Sequence, residues 1–243
     1  MRAEYPKLPV IVCNTGAPLD FDTDDLVTVL YRPDLKANVS AARNACVDAL
    51  KTPYALVSDD DHWFTPRTDL HAWVSALNQH QLDILGGMLM LDGREQHWEG
   101  DFTDSGTSVS VQRRRFTDFN VHRVGVVLNF FVARADVLRA HKWDEDIPIA
   151  GEHVDYFYRA WKVGLRVGYC ARFVALHVRH TTPTYQTMRN RRNLTVFTSK
   201  HGKAVVSRTR GSDRRADVRN NRQIQRAAVR DIAVRRRRRV PKP

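Results

Sequence analysis

Cysteine is scarce: Cys13, Cys46 and Cys170 are the only three in 243 residues. They are scattered and odd in number, with no C-x-x-C or Cys/His ligand spacing, which excludes a disulfide framework or a zinc ribbon and fits a reducing cytoplasm. No apolar run approaches the ~18 residues that a membrane span requires. Even V-G-V-V-L-N-F-F-V-A is too short and is interrupted by Asn129. The opening M-R-A-E-Y-P-K-L-P has no apolar signal core. Acidic residues are outnumbered, giving a net charge of +12, but the excess is local. Residues 207–243 hold 13 Arg and one Lys against three Asp, which leaves 25 basic and 24 acidic residues in the remainder. The body, residues 1–206, is therefore nearly neutral, and residues 207–243 form an Arg-rich tail.

With 42% hydrophobic residues the body has enough apolar material for a core. Leu8 to Cys13 reads as a strand and Asp25 to Arg32 as a second. A helix capped by Asn38 or Ser40 runs through Lys51, with Val39, Ala42, Cys46 and Leu50 at helical spacing. Residues 55–58 read as a buried strand, Arg67 to His80 as a helix with Leu70, Trp73, Val74 and Leu77 on one face, and L-D-I-L-G-G-M-L-M-L as a strand. Gly86 and Gly87 in that strand allow a bulge or a close backbone approach. The alternation of strand and helix predicts an α/β layered domain. Residues 92–122 read as a hairpin or loop region, followed by one or two strands and a helix at Asp136 to His141. A helix from Glu152 to about Val163, ended by Gly164, and strands at Arg166 to Cys170 and Phe173 to His177 complete the body.

The most unusual stretch is Y-A-L-V-S-D-D-D-H-W-F, in which an apolar strand ends in Asp59, Asp60 and Asp61. Three adjacent carboxylates repel one another unless a cation or a set of donors compensates, and their hard oxygens suit Mg²⁺ or Mn²⁺. In extended chain Asp59 and Asp61 project to one side, ~7 Å apart, with Asp60 pointing away. A solvated acidic turn that caps the next helix at Thr65 to Arg67 is the alternative. A second acidic site opens the later helix, where Glu152 and Asp155 are three residues apart on its first turn. Helix-start acids with an Asp155–Arg159 ion pair are the structural alternative to catalysis. Tyr156, Phe157 and Trp161 supply either core or a sugar-binding platform, and Asn129, His153 and Trp161 are the candidate substrate contacts. His177, at a strand end, is either structural or completes a metal shell.

The ordered runs N-V-S-A-A-R-N-A-C-V-D-A-L, Y-A-L-V-S-D-D-D, L-D-I-L-G-G, V-L-N-F-F-V-A-R-A-D, G-E-H-V-D-Y-F-Y-R-A-W and C-A-R-F-V-A-L-H resemble the motif set of nucleotide-sugar glycosyltransferases with the GT-A fold. Among family-2-like relatives the likeness is greatest to the β1,4-N-acetylgalactosaminyltransferase group, across residues 8–180. The resemblance implies a Rossmann-like mixed sheet flanked by helices, a UDP-sugar donor and a divalent ion, Mn²⁺ or Mg²⁺. It makes Asp61 a direct metal ligand, with His177 as a further one and Asp59 at the metal or the ribose. Arg43, Asn44 and Asp60 fall near the donor, and Asp155 or Glu152 is the base. Leu8 to Cys13 matches the family's second strand, so its usual first strand has no counterpart, and Asn14 stands where an acidic residue is common. The implied reaction is an inverting transfer of a hexosamine such as N-acetylgalactosamine to an acceptor that is a glycan, a protein or a nucleic acid. Displacing a nucleoside diphosphate from an anomeric carbon calls for charge neutralisation at the leaving group and a carboxylate to take the acceptor proton.

The tail, with Val218, Ile224, Ala228 and Ile232 as a weak apolar stripe, reads as disordered or as helical on a polyanion. Arg235, Arg236, Arg237, Arg238 and Arg239 would bind phosphates through counterion release. Nucleic acid, an acidic protein, an anionic membrane and no partner at all remain open for it. A nucleic-acid-binding protein with a degenerate enzyme body, or a transferase directed to DNA, is the rival to a plain transferase.

Overall fold

The structure, a computed structural model, describes residues 5–18, 24–178 and 194–209. The Arg-rich stretch Arg235 to Arg239 and the weak apolar stripe lie outside these residues. Val10–Asn14 (β1) and Val27–Tyr31 (β2) form a two-stranded parallel sheet of their own. Val39–Asp48 (α1) starts on Asn38, whose side chain accepts from the Ala41 amide. Its buried face is Ser40, Ala41, Asn44 and Val47, not the stripe of Val39, Ala42, Cys46 and Leu50 that apolar spacing predicts. The polar members of that face are accommodated because Ser40 Oγ donates to the Ile147 carbonyl and Asn44 bonds to Trp143 and Glu145.

The centre of the fold is a seven-stranded mixed sheet. Tyr54–Ser58 (β3) pairs with Phe130–Arg134 (β10), which pairs with Ile84–Leu91 (β5), then Val167–His177 (β11), then His62–Phe64 (β4). The short Arg94–Gln96 (β6) and His122–Arg123 (β9) join β5 and β11. Leu70–Gln79 (α2) begins on Asp69, whose side chain accepts from the Ala72 amide, so the acidic run at 59–61 does not cap it. Ala135–Ala140 (α3), Glu152–Lys162 (α4) and Leu194–His201 (α5) complete the helices among the described residues. Gly100–Asp104 (β7) and Ser108–Arg113 (β8) form the hairpin expected within 92–122. Ala204–Thr209 (β12) adds to β8 in parallel, so the ladder runs past the boundary expected at 206.

Both faces of the sheet are buried. Along β5, Ile84, Met88 and Met90 belong to the cluster shared with α1, α3 and α4, while Leu85 and Leu89 belong to the cluster built on Trp73 and Leu77 of α2. This period of two, apolar on both sides, is why the strand reads as a continuous apolar run. Trp73 stacks on Phe173 at 4.9 Å, meets Phe130 edge-on at 4.8 Å, and donates from Nε1 to the Leu85 carbonyl at 2.9 Å.

The two short strands expected at 166–170 and 173–177 are one strand with a register shift between Tyr169 and Val174. Before the shift the odd residues Val167, Tyr169 and Ala171 face the larger cluster; after it the even residue Val174 does, and Phe173 and Ala175 join Trp73. Five steps along β11, from Tyr169 to Val174, face two along β5, from Gly86 to Met88, and this odd excess inverts the strand's alternation. The carbonyls that this bulge frees are taken by the turn after β4. Arg67 donates to the Ala171 and Arg172 carbonyls, and the hydroxyls of Thr65 and Thr68 both donate to that of Val174.

The close approach at Gly87 is the packing constraint of this region. A Cβ there would lie 2.6 Å from the Phe173 carbonyl and 2.8 Å from Trp73. Gly87→Ala is expected to destabilise the fold by about 1–3 kcal/mol, the usual cost of overpacking a tight core, read as a lower midpoint in chemical denaturation; an unchanged midpoint would contradict this packing.

Candidate active site

The acidic run does not continue β3 as an extended chain. The strand ends at Ser58, Asp60 and Asp61 occupy a turn, and the His62 amide approaches the Asp59 carbonyl at 3.4 Å. Asp59 and Asp61 therefore serve different neighbours instead of projecting side by side. Asp61 turns to β11, where His177 Nε2 is 2.9 Å from its Oδ2 and His62 Nε2 is 3.7 Å from its Oδ1. The pairing of β4 with β11 sets His62 directly opposite His177, with the rings edge to face at 5.4 Å. Ligand atoms of Asp61, His62 and His177 all lie within 4.8 Å of one another. Ligands around one ion are about 3 Å apart when adjacent and about 4 Å when opposite, at metal–ligand distances near 2.1 Å.

The chemistry of this trio fits a divalent cation. Asp61 Oδ1 is buried and has no hydrogen-bond partner, which costs about 1–3 kcal/mol or more for a charged group left as it is. Burial pushes the His62 imidazole below its ordinary pKa, against the pull of Asp59 and Asp61, which favours the neutral, ligating form. His62 Nδ1 lies 3.0 Å from Ser58 Oγ and accepts from the Asp59 amide at 3.3 Å. His177 Nδ1 lies 2.8 Å from Gln96 Oε1, which orients the ring and turns Nε2 to the Asp61 carboxylate.

A second cluster is built on Arg43 of α1. Its Nη2 donates to Asp59 Oδ1 at 2.9 Å, and its Nη1 lies 3.4 Å from Glu152 Oε1 at the start of α4. The other Glu152 oxygen accepts from the Gly151 amide at 3.0 Å. Asp60 is exposed at the tip of the turn. Asn44, one residue from Arg43, is buried and engaged with the loop after α3, donating to the Trp143 carbonyl and Glu145 and accepting from the Trp143 amide. Its amide thus braces the site's wall and presents nothing to a ligand.

The remaining sequence-selected residues separate along α4. Asp155 is 0% exposed and is held by Arg159 Nε and His201 Nε2, each at 2.7 Å; it anchors α5. Trp161 packs against Tyr158 and Phe102, and lies about two and a half turns from Glu152, on the opposite side of the helix. It does not join the acidic cluster. Asn129 and His153 do meet, with His153 Nδ1 donating to Asn129 Oδ1 at 2.8 Å. Burial lowers the His153 pKa to about 4, with Glu152 pulling the other way, and its Nε2 is buried without a partner.

Sequence reasoning missed His62 and Gln96. The adjacency of His62 to the third aspartate was the available signal, but its role depends on β4, a three-residue strand too short to show periodicity. Gln96 and Trp98 belong to a segment locked by His97, whose Nε2 contacts Glu95 Oε2 at 2.9 Å and whose Nδ1 contacts Glu99 Oε1 at 2.7 Å. Burial lowers the His97 pKa, but the two carboxylates outweigh it and raise the value to about 9.

With this geometry in place, three comparisons bear on the chain. The model of "Glycosyl transferase family 2" matches residues 14–139, just over half of the sequence. Beta-1,4 N-acetylgalactosaminyltransferase 1 of Mus musculus is 28% identical over 194 residues, which cover 73% of this chain and 35% of that protein. Its Homo sapiens counterpart is 32% identical over the same shares. The chain thus spans about a third of the length of the curated relatives it matches. A crystal structure of GalNAc-T7 with UDP, GalNAc and Mn²⁺ superposes with a TM-score of 0.54 at 12% identity, covering 74% of this chain and 39% of that one. The matched family segment contains Arg43, the three aspartates and His62; Glu152 and His177 lie beyond it.

The His97 clamp makes a test by pH. A folded-state pKa of about 9 above an ordinary 6.5 contributes stability that is fully present below pH 6.5 and lost as pH rises through 9. His97→Gln is expected to flatten that part of the stability profile, by an amount on the order of 2 kcal/mol in urea denaturation at pH 6 against pH 9.5. Parallel profiles for the two proteins would refute the clamp.

Proposed function

The chain belongs to glycosyl transferase family 2 and has the GT-A fold, and from that premise we propose that it is a metal-dependent, inverting glycosyltransferase, using a UDP-hexosamine, N-acetylgalactosamine in the first instance, as donor. The observation that carries the reading is the buried, unpartnered Asp61 Oδ1 facing two imidazoles. A carboxylate with two nitrogen ligands suits Mn²⁺ better than Mg²⁺, which favours all-oxygen shells. The donor is supported by the N-acetylgalactosaminyltransferase relatives and by the UDP, GalNAc and Mn²⁺ in the structural neighbour.

In this reading the bound ion supplies the positive charge that the departing diphosphate needs. Asp61, His62 and His177 hold it, and Gln96 fixes the ring of His177. Arg43 holds Asp59 at the mouth of the turn, where its second oxygen is free for a ribose hydroxyl. Glu152 takes the proton of the acceptor hydroxyl, because its carboxylate shares Arg43 with Asp59, whereas Asp155 is enclosed by Arg159 and His201. The ion pair with Arg43 aims that carboxylate.

The reading is tested by release of UDP from UDP-N-acetylgalactosamine with Mn²⁺. Asp61→Asn is expected to remove Mn²⁺ binding and turnover together. Glu152→Gln is expected to keep Mn²⁺ binding and lower turnover by about 10²–10⁴, the usual scale of general-base loss. Asp155→Asn is expected to act on the melting temperature, because it leaves Arg159 and His201 without their buried partner. Full turnover in Asp61→Asn would refute the proposal.

A further inference from the structure

Gln96 reaches the ring of His177 from a strand that has little hold of its own. The strand β6 has three residues, which pair with β5 as Gln96 with Leu89, Glu95 with Met90 and Arg94 with Leu91. Residues 97–99 then carry no regular structure until β7 begins at Gly100. So short a ladder supplies little order, and holding a long glutamine side chain costs rotamer freedom.

The order comes from the residues on either side. Glu95, His97 and Glu99 alternate with Gln96 and Trp98, and alternate residues of an extended segment project to one side. His97 Nε2 is 2.9 Å from Glu95 Oε2, and its Nδ1 is 2.7 Å from Glu99 Oε1. One ring therefore ties the residue before Gln96 to the residue three beyond it. Glu99 is the fixed end of this bridge: it is 1% exposed, its Oε2 accepts from the Trp98 amide and its carbonyl accepts from the Arg114 amide, each at 2.9 Å.

The surrounding charges show what His97 contributes. Burial lowers its pKa, but Glu95 and Glu99 outweigh burial and raise it to about 9, so the ring is a cation at neutral pH. Glu95 has a second cation, Arg115, at 3.3 Å. Among the described residues His97 is the only cation paired with Glu99. Arg113 feels Glu99 and Arg67 feels Glu95 without forming an ion pair, and Tyr169 of β11 faces both carboxylates as a phenol whose pKa burial pushes up. A neutral side chain at 97 would leave Glu99 a buried carboxylate with no paired cation, a state costly enough to move the segment and Gln96 with it.

We propose that His97 is a positioning residue for the ion site: by bridging Glu95 and Glu99 it holds Gln96 against His177, and the affinity of Asp61, His62 and His177 for a divalent cation depends on that bridge. This rests on the proposed metal-dependent function. His97 acts through Gln96 alone, because no hydrogen bond or ring contact joins it to Asp61, His62 or His177.

The test is the Mn²⁺ affinity of the full chain at pH 7.5, read from the electron-spin resonance of free Mn²⁺, in wild type, Gln96→Ala, His97→Gln and the double variant. Gln96→Ala is expected to weaken binding about 10–100-fold and His97→Gln about tenfold, the usual effect of losing a brace on a ligating histidine. The double variant is expected to stay within twofold of Gln96→Ala, since residues that act in series do not add. Where His97→Gln does not fold, His97→Leu with Glu99→Met takes its place; it exchanges the buried ion pair for apolar side chains of similar size, a change folding usually tolerates, and the same loss is expected. Affinity within twofold of wild type in a folded variant at 97 would overturn the proposal, and so would losses that multiply in the double variant, a pattern that a merely structural role would give. A wild type that binds no Mn²⁺ would overturn both this and the metal-dependent function, whereas Mn²⁺ binding indifferent to residue 97 would overturn this alone.

Discussion

Everything at the centre of this protein depends on the register of three residue pairs. The strand β4 pairs with the end of β11 through Ala175 with Phe64, Leu176 with Trp63 and His177 with His62. Directly opposed residues in an antiparallel pair hold their Cβ atoms about 4.5–5.5 Å apart, close enough for two imidazoles to address one point. A slip of one residue would send one ring to the other face of the sheet. The adjacent Val178 amide donates to the Asp61 carbonyl, so the same ladder that aligns the imidazoles also anchors the carboxylate between them.

Charge is distributed around this ladder with little redundancy. Asp59, Asp60 and Asp61 crowd one turn, and Glu152 approaches from α4. Arg43 alone bridges Asp59 and Glu152, and it lies against the Trp143 ring at 5.7 Å, so its position is set by packing as well as by charge. One arginine thereby links α1, the end of β3 and the start of α4. Asp61 receives no such cation. The asymmetry, with one aspartate neutralised by the protein and the next facing two neutral-capable rings, separates a carboxylate held in place from one available to an ion.

The layered α/β architecture was legible because its determinants are local: apolar runs bounded by turns, helices with Asn38 and Asp69 beside their starts, and Gly164 after α4. The acidic turn, Arg43, Glu152 and His177 were legible as a set through the family pattern, and Asn129 and His153 do meet. What was not legible depends on distant pairing. His62 acquires its role only from a three-residue strand, Gln96 only from a ring 81 residues away and Asn44 only from the loop at Trp143 and Glu145, while Asp155 makes the expected pair with Arg159 and adds His201 from α5. The face of α1 was misjudged for the same reason: buried polar residues there are satisfied by a loop about 100 residues away.

The bulge in β11 decides which way His177 points. Residues of that strand exchange sides between Tyr169 and Val174, so odd-numbered residues beyond the bulge lie with Phe173 and Ala175, toward Trp73. His177 inherits that phase. Arg172, the exposed residue in the irregular stretch, turns its side chain outward while its carbonyl accepts from Arg67. The loss of a single residue there would leave Asp61, His62 and His177 in the sequence and rotate His177 out of the cluster. An insertion or deletion five residues upstream would therefore part His177 from Asp61 as surely as replacement of the histidine itself.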